Sequence, residues 1–159
     1  MNKILVAVFS PTGTTRQIAK LIAEITGADS YEIKPAEKYT SMDLDWDKQN
    51  SRTTKEMQDI NSRPELADKN AKIENYDTIY LGFPIWWYVA PHIINTFLES
   101  YDFSGKTIVT FATSGGSGFG DTLSFLEHSA PDAKFIQGRV FRGRIEKDTV
   151  ATWIKTVDF

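Results

Sequence analysis

Cysteine is absent from this chain of 159 residues. Its absence excludes disulfides, thiolate metal sites, thiol redox chemistry and cysteine nucleophiles. Any redox chemistry must therefore come from a cofactor. Long basic runs are absent too, because acidic and basic residues are interspersed to give a formal net charge of -3. We therefore expect no nucleic acid partner.

Long hydrophobic runs are also missing near the N-terminus. The apolar run at residues 4–9 is too short for a signal-peptide core or a membrane span. We therefore expect a cytoplasmic protein with no membrane association. With 41% hydrophobic residues, the chain can bury a core that needs no disulfide or structural metal ion to be stable. The sequence predicts a single domain over residues 1–159, present as a monomer or a weak homodimer.

Strand and helix patterns alternate along the chain. Apolar or β-branched runs predict strands at 4–9, 30–33, 78–83, 107–112 and 134–138. Helical periodicity follows Gly13 and Pro91, and it returns at 121–128 and 150–157. Thr14 and Gln17 have the spacing of a capping box. Strands separated by helices predict an α/β fold with a doubly wound, five-stranded parallel sheet and helices on both faces.

An extended polar segment at about 34–75 interrupts this alternation. It is long for a connection, and long connections are often functional or mobile. The pattern allows a helix within 45–60. A solvated insertion is the favoured interpretation, and the candidates for closing over a ligand or docking a partner are Tyr39, Trp46, Arg52, Asn61 and Arg63.

Ligands of open α/β sheets bind beyond the carboxyl ends of the strands. The first such loop carries Ser10, Thr12, Gly13, Thr14 and Thr15 and runs directly into a predicted helix. A helix N-terminus has unsatisfied N–H donors and a partial positive charge, so it can bind a phosphate without a lysine. We expect an anion site here; the alternative is an ordinary helix cap and polar turn.

The loop after the third strand contains Pro84, Ile85, Trp86 and Trp87, followed by Tyr88. Aromatic side chains at a strand end can stack on a planar ring. The alternative is a hydrophobic lid over the next helix, or a protein interface.

The loop after the fourth strand contains Thr113, Ser114, Gly115 and Gly116, and further glycines follow. Glycine lets backbone N–H groups approach a ligand closely, so this loop could donate to the edge of a heteroaromatic ring. The alternative is a flexible turn. The loop completes neither G-x-G-x-x-G nor G-x-S-x-G, and the chain has no G-x-x-x-x-G-K-[ST], which disfavours dinucleotide binding, a serine hydrolase and a nucleotide triphosphatase.

In this order, the S-x-T-G-x-T turn, the G-x-P-x-W-W segment and the T-S-G-G-S-G loop resemble the flavodoxin family. The resemblance implies strand order 2-1-3-4-5 and one FMN, with its phosphate at 10–15 and its ring between 84–87 and 113–116. It implies no catalytic side chain, because the cofactor does the chemistry. Such a protein would shuttle electrons between redox partner proteins; the alternative is a small FMN-dependent NAD(P)H:quinone-type reductase.

Two features depart from that family pattern. Typical flavodoxins have a glycine in the loop after strand three, where a peptide can flip, but residues 84–87 contain none. They also place a stacking tyrosine after strand four, whereas the nearest aromatic residue here is Phe119. The first departure keeps the reductase alternative open.

Other charged and titratable residues indicate no separate site. A phosphoacceptor receiver domain would need acidic residues after strands one and three, and they are missing. His92 and His128 lie on separate predicted helices and support neither a metal site nor a triad. A solvated loop is the favoured interpretation of the basic cluster Arg139, Arg142 and Arg144.

Overall fold

Five parallel strands form one sheet in the computed structural model, which describes residues 3–45 and 47–157. The sheet order is β2-β1-β3-β4-β5, which confirms the predicted order. The strands are β1 (Ile4–Val8), β2 (Asp29–Glu32), β3 (Thr78–Pro84), β4 (Thr107–Thr113) and β5 (Lys134–Phe141).

Helices cover both faces of this sheet, as expected. Their bounds are α1 (Thr14–Thr26), α2 (Arg52–Gln58), α3 (His92–Glu99), α4 (Thr122–Glu127) and α5 (Lys147–Thr156). One core lies under α1 and α5, and the other lies under α3 and α4. Side chains of a strand alternate between faces, so β1 sends Leu5 and Ala7 to the second core and Val6 and Val8 to the first.

Helix α1 begins differently from the capping-box prediction. Gly13 is the N-cap, with a left-handed φ of 90°, and it has no side chain to cap the helix. Thr14 is therefore the first helical residue, and the prediction that it caps the helix is wrong. The glycine permits this backbone because it lacks a Cβ. At the other end Gly27 adopts φ 73°, and its amide donates to the carbonyl of Ala23.

Strand β5 continues beyond its predicted end at Gly138. Thr110 pairs with Gln137 and Phe111 with Arg139, so Gly138 is the extra residue of a β-bulge. A Cβ at Gly138 would lie 2.0 Å from the carbonyl oxygen of Thr110, which explains the glycine. The glycine thus allows a close backbone approach within the strand instead of ending it.

The segment at 34–75 is more ordered than a solvated insertion. It contains α2 and a 3-10 helix at Ile73–Asn75, and Pro35 forms an antiparallel bridge with Leu66. Leu66, Ala71 and Ile73 are buried in the core beneath α3. Of the helices in the described ranges, none is long and apolar enough to cross a membrane.

Candidate cofactor site

The three loops singled out by the sequence meet at Thr113, the last residue of β4. The Thr113 hydroxyl lies 2.8 Å from that of Thr15, and its carbonyl accepts from the amide of Ile85 at 2.9 Å. Thr113 itself leads into the glycine-rich loop. Because β1, β3 and β4 are neighbours in a parallel sheet, their carboxyl ends lie at one edge.

The turn after β1 presents free backbone donors. The amides of Thr12, Thr14 and Thr15 have no hydrogen-bond acceptor within the described residues. The amide of Arg16 donates to the hydroxyl oxygen of Ser10 at 3.1 Å. Free amides at the start of a 13-residue helix attract an anion through their dipoles.

The hydroxyls of this turn divide into two pairs of different exposure. Ser10 and Thr15 are buried, and the Thr15 hydroxyl is engaged with β4. Thr12 and Thr14 are exposed, and their hydroxyl oxygens lie 3.4 Å apart. The exposed pair is therefore free to contact a ligand, whereas Thr15 fastens the turn to the sheet.

A cation also supports the turn. The Arg16 guanidinium donates to the Ser10 carbonyl at 3.2 Å and forms an ion pair with Glu32 at the end of β2. Glu32 offsets the positive charge of Arg16. The turn therefore attracts an anion mainly through its backbone amides.

The two tryptophans after β3 have different surroundings. Trp86 is half-buried and makes edge contacts with Phe9 and Tyr39, at centroid distances of 5.7 and 5.6 Å. Trp87 is 40% exposed and Tyr88 is 70% exposed. Trp86 thus forms the base of the loop, while Trp87 and Tyr88 present aromatic surface outward.

Residues 86–89 form a tight turn with an unusual backbone. The amide of Trp86 donates to the Val89 carbonyl at 2.9 Å, and the Val89 amide donates to the Trp86 carbonyl at 3.1 Å. Trp87 and Tyr88 between them have φ values of 50° and 66°. Positive φ at both central residues is the type I′ geometry, which normally selects asparagine and glycine. Two aromatic residues in this conformation indicate stored backbone strain.

The glycine-rich loop after β4 is open on its cleft side. A Cβ at Gly115 or Gly116 would meet no atom within 4 Å. The Ser114 hydroxyl lies 3.0 Å from that of Ser117 and accepts from the Gly116 amide at 3.1 Å, so that amide is already engaged. Phe119 is buried in the core and offers no stacking surface here.

Arg142 forms a hydrogen bond with the glycine-rich loop after β4. Its guanidinium donates to the Ser117 carbonyl at 2.9 Å, while Arg139, Arg142 and Arg144 are all exposed, as expected for a solvated basic cluster. The side chain therefore restrains the loop and places a positive charge next to it.

A cleft of about 460 Å³ lies between the loop at 85–88 and the loop at 114–117. Its outer wall is formed by Leu44 and Thr53, from the polar segment at 34–75. Of the described residues that line it, none carries a formal charge. The cleft can therefore take an uncharged planar group, with apolar contacts on one side and backbone groups on the other.

The outer wall of the cleft is anchored through Tyr39. The Arg52 guanidinium lies 3.8 Å from the centre of the Tyr39 ring and pairs with Glu56 at 2.9 Å. The Tyr39 hydroxyl donates to the same carboxylate. Burial and then this hydrogen bond raise the pKa of Tyr39. Since Tyr39 also packs on Phe9, the network ties the wall to β1.

The structure thus brings together the residues predicted at 10–15, 84–87 and 113–116. Within these loops the Thr15 hydroxyl and the Trp86 ring contact the protein itself and support the site.

Sequence reasoning missed Leu44 and Thr53, which lie in a region without apolar periodicity. Of the candidates in the polar segment, Tyr39 and Arg52 support the wall, and Asn61 and Arg63 line a different groove. Trp46 lies outside the described residues. No group of metal-ligating side chains occurs in the described parts of the chain.

Comparison with known proteins places these features in a family. A family model described as flavodoxin matches residues 3–157. No curated protein matches. A candidate flavoprotein from Bacteroides uniformis ATCC 8492 shares 50% identity over 98% of this chain and 99% of its own, with a TM-score of 0.92.

Two further structures are similar at greater distance. A flavoprotein from Lactobacillus acidophilus NCFM, solved in complex with FMN, is 25% identical over 97% of this chain and 99% of its own, with a TM-score of 0.70. Oxidised Flavodoxin 2 from Bacillus cereus is 17% identical over 94% of this chain and 93% of its own, with a TM-score of 0.56, and shows the shared fold. Because the family model matches nearly the whole chain, the protein belongs to the flavodoxin family.

Proposed function

We propose that this protein binds one FMN at the junction around Thr113 and carries electrons between redox partner proteins. The observation that carries the proposal is that a helix N-terminus with three free amides and an uncharged cleft meet next to one residue, Thr113. The FMN complex of the Lactobacillus acidophilus relative supports the choice of ligand.

The phosphate fits the turn at 10–15. The amides of Thr12, Thr14 and Thr15 are free to donate, and the hydroxyls of Thr12 and Thr14 are exposed beside them. Gly13 at the N-cap has no side chain to accept from these amides. This donor set suits a dianion without requiring a lysine.

The ring fits the cleft between Trp87 and the glycine-rich loop. Open space at Gly115 and Gly116 permits close approach to the backbone, and Trp87 offers an exposed indole surface. When bound, FMN accepts and returns electrons, and the protein determines its orientation and access. Here Arg142 steadies one wall, and the Tyr39 network steadies the other.

Titration with FMN and riboflavin tests both halves of the site. Riboflavin carries the same ring without the phosphate, so we expect FMN to bind at least about tenfold more tightly, since hydrogen bonds to a charged group contribute about 1.5–3 kcal/mol each. Quenching of flavin fluorescence reports the binding. Equal affinities would contradict a phosphate in the turn, and no binding of either flavin would reject the proposal.

A small NAD(P)H:quinone-type reductase is the second candidate. The observation that favours it is the turn at 86–89, which lacks glycine and already holds two residues at positive φ. A further peptide rearrangement coupled to one-electron chemistry would be costly there. Stopped-flow mixing of the FMN-loaded protein with NADH and NADPH separates the candidates: rapid flavin reduction by either supports the reductase, and reduction by neither supports the carrier.

A further inference from the structure

A second groove, of about 690 Å³, lies on the other side of the turn at 86–89. It runs between α2, α3 and α4 and shares Trp87 and Tyr88 with the cofactor cleft. Its walls hold four of the large hydrophobic side chains that the described residues expose, namely Ile60, Trp87, Tyr88 and Phe125. Three of them are aromatic. This concentration of apolar surface favours contact with a planar apolar group.

His92 supplies a hydrogen-bond acceptor to this groove. The Ser62 hydroxyl donates its single proton to the Glu56 carbonyl at 2.7 Å, and its oxygen lies 2.6 Å from His92 Nδ1. Ser62 must therefore accept from Nδ1, which carries the hydrogen. In the neutral ring Nε2 is then an acceptor, and it has no partner within the described residues. Burial, followed by the charge of Arg63, lowers the pKa of His92 and favours this neutral form.

Asn95 supplies a second acceptor. Its amide nitrogen donates to the Phe125 carbonyl at 3.2 Å and to the Ser129 hydroxyl at 2.9 Å. Both amide hydrogens are therefore engaged, whereas the side-chain carbonyl oxygen has no partner in the described chain. Asn95 lies three residues after His92, so both side chains occupy one face of α3.

Both acceptors reach the groove. His92 is 9% exposed and Asn95 is 6% exposed, yet no fully buried side-chain nitrogen or oxygen in the described residues lacks a partner. The unpartnered atoms must therefore lie on the small accessible parts of these side chains, and both residues line the groove. Because both acceptors lie on accessible parts of the groove wall, a ligand that donates to them replaces water there while its ring covers the apolar walls.

We infer that this groove binds a phenol-type aromatic molecule whose hydroxyls donate to His92 Nε2 and to the Asn95 side-chain oxygen. The aromatic body would lie against Trp87, Tyr88 and Phe125. A quinone would be a poorer ligand, since its oxygens only accept. The nearby guanidinium of Arg63 is held by Glu99 and by the carbonyls of Ile60 and Ser62, so it does not supply the main recognition of a hydroxyl.

Binding of naphthoresorcinol and its dimethyl ether tests this inference. The two probes share the ring system, but only the first has hydroxyl donors. The titration uses FMN-saturated protein at about pH 8, above the ordinary histidine pKa, so that a planar probe does not enter the cofactor cleft and Nε2 stays unprotonated. We expect the diol to bind about tenfold more tightly than the ether, as one or two hydrogen bonds allow. Equal affinities would overturn the inference.

Variants and nitrogen NMR locate the binding. His92→Phe should lower affinity for the diol about five- to tenfold and leave the ether unaffected, whereas Thr152→Phe, at an exposed position of α5 outside the groove, should change neither. The His92 Nε2 resonance should shift on saturation with the diol, and this readout does not depend on a variant folding. An unmoved resonance, or equal losses in the two variants, would refute the site.

Discussion

Thr15 and Thr113 share a hydroxyl-hydroxyl hydrogen bond of 2.8 Å that joins the start of α1 to the end of β4. Both side chains are buried, so removing one hydroxyl leaves the other unsatisfied. We expect Thr15→Val and Thr113→Val each to lower the free energy of unfolding by about 1–2 kcal/mol. The double variant should lose less than the sum, as measured by urea denaturation of the FMN-free protein. Strictly additive losses would show that the two hydroxyls are not coupled.

The exposed hydroxyls of the same turn should affect binding rather than stability. We expect Thr12→Ala with Thr14→Ala to weaken FMN binding about tenfold, because hydroxyl donors to a dianion are lost. Riboflavin binding should not change. Thr152→Ala, at an exposed position of α5, is the control for threonine removal. Unchanged FMN affinity in the double variant would place the phosphate elsewhere.

Gly82 in the centre of β3 leaves room for a ring of the neighbouring strand. A Cβ at this position would lie 2.2 Å from Cζ of Phe111, which is fully buried. We expect Gly82→Ala to cost about 1–3 kcal/mol of unfolding free energy, the usual range for overpacking. Phe111→Leu in the same chain should recover part of this loss. Gly115→Ala, where a Cβ meets nothing within 4 Å, should have little effect and serves as the control.

The strain at Tyr88 can be relieved by substitution. Left-handed backbone costs a residue with a Cβ about 1–2 kcal/mol, and the entropy of glycine offsets about 0.5–1 kcal/mol of the gain. Since Tyr88 is largely exposed, Tyr88→Gly should raise the free energy of unfolding by about 0.5–1 kcal/mol. Tyr88→Ala removes the same ring but keeps the strain, so it should give no gain. Equal thermal stability of the two variants would contradict stored strain at this residue.

His92 should make stability depend on pH below neutrality. Burial, and then the charge of Arg63, lower its pKa below the ordinary value of 6.5. The unfolded chain therefore takes up this proton at a higher pH than the folded protein does. The stabilising contribution of neutral His92 to the free energy of unfolding is complete above about pH 6.5. It falls as the pH drops toward the lowered pKa. His92→Phe should flatten this part of the curve of unfolding free energy against pH.

The sequence predicted the structure best where the conformation of a short segment follows from its own residues. The apolar run of β1 predicts a strand buried on both faces because such a run has no polar side to expose. The loops after β1, β3 and β4 could be predicted to lie together because parallel strands bring their carboxyl ends to one edge. Sequence alone did not reveal that Thr15 faces β4, since a hydroxyl in a turn looks the same whether it is exposed or paired across the sheet.

The missed residues depend on contacts between distant segments. Leu44 and Thr53 reach the cleft only because Arg52 packs on Tyr39, and Tyr39 packs on Phe9. His92 is the first residue of α3, within the predicted helix, whereas His128 lies one residue beyond the end of α4, although the predicted helix included it. Both line one groove because α3 and α4 pack side by side, an arrangement without a local sequence pattern.

The two edge strands of the sheet determine whether another chain can pair with it. Strand β2 has four residues and carries Asp29 and Glu32, while β5 carries Lys134 and Arg139 and is bent by its bulge. Short length, charge and a bulge all discourage a foreign strand from extending a sheet. Pairing of a foreign strand with either edge of this sheet is therefore disfavoured.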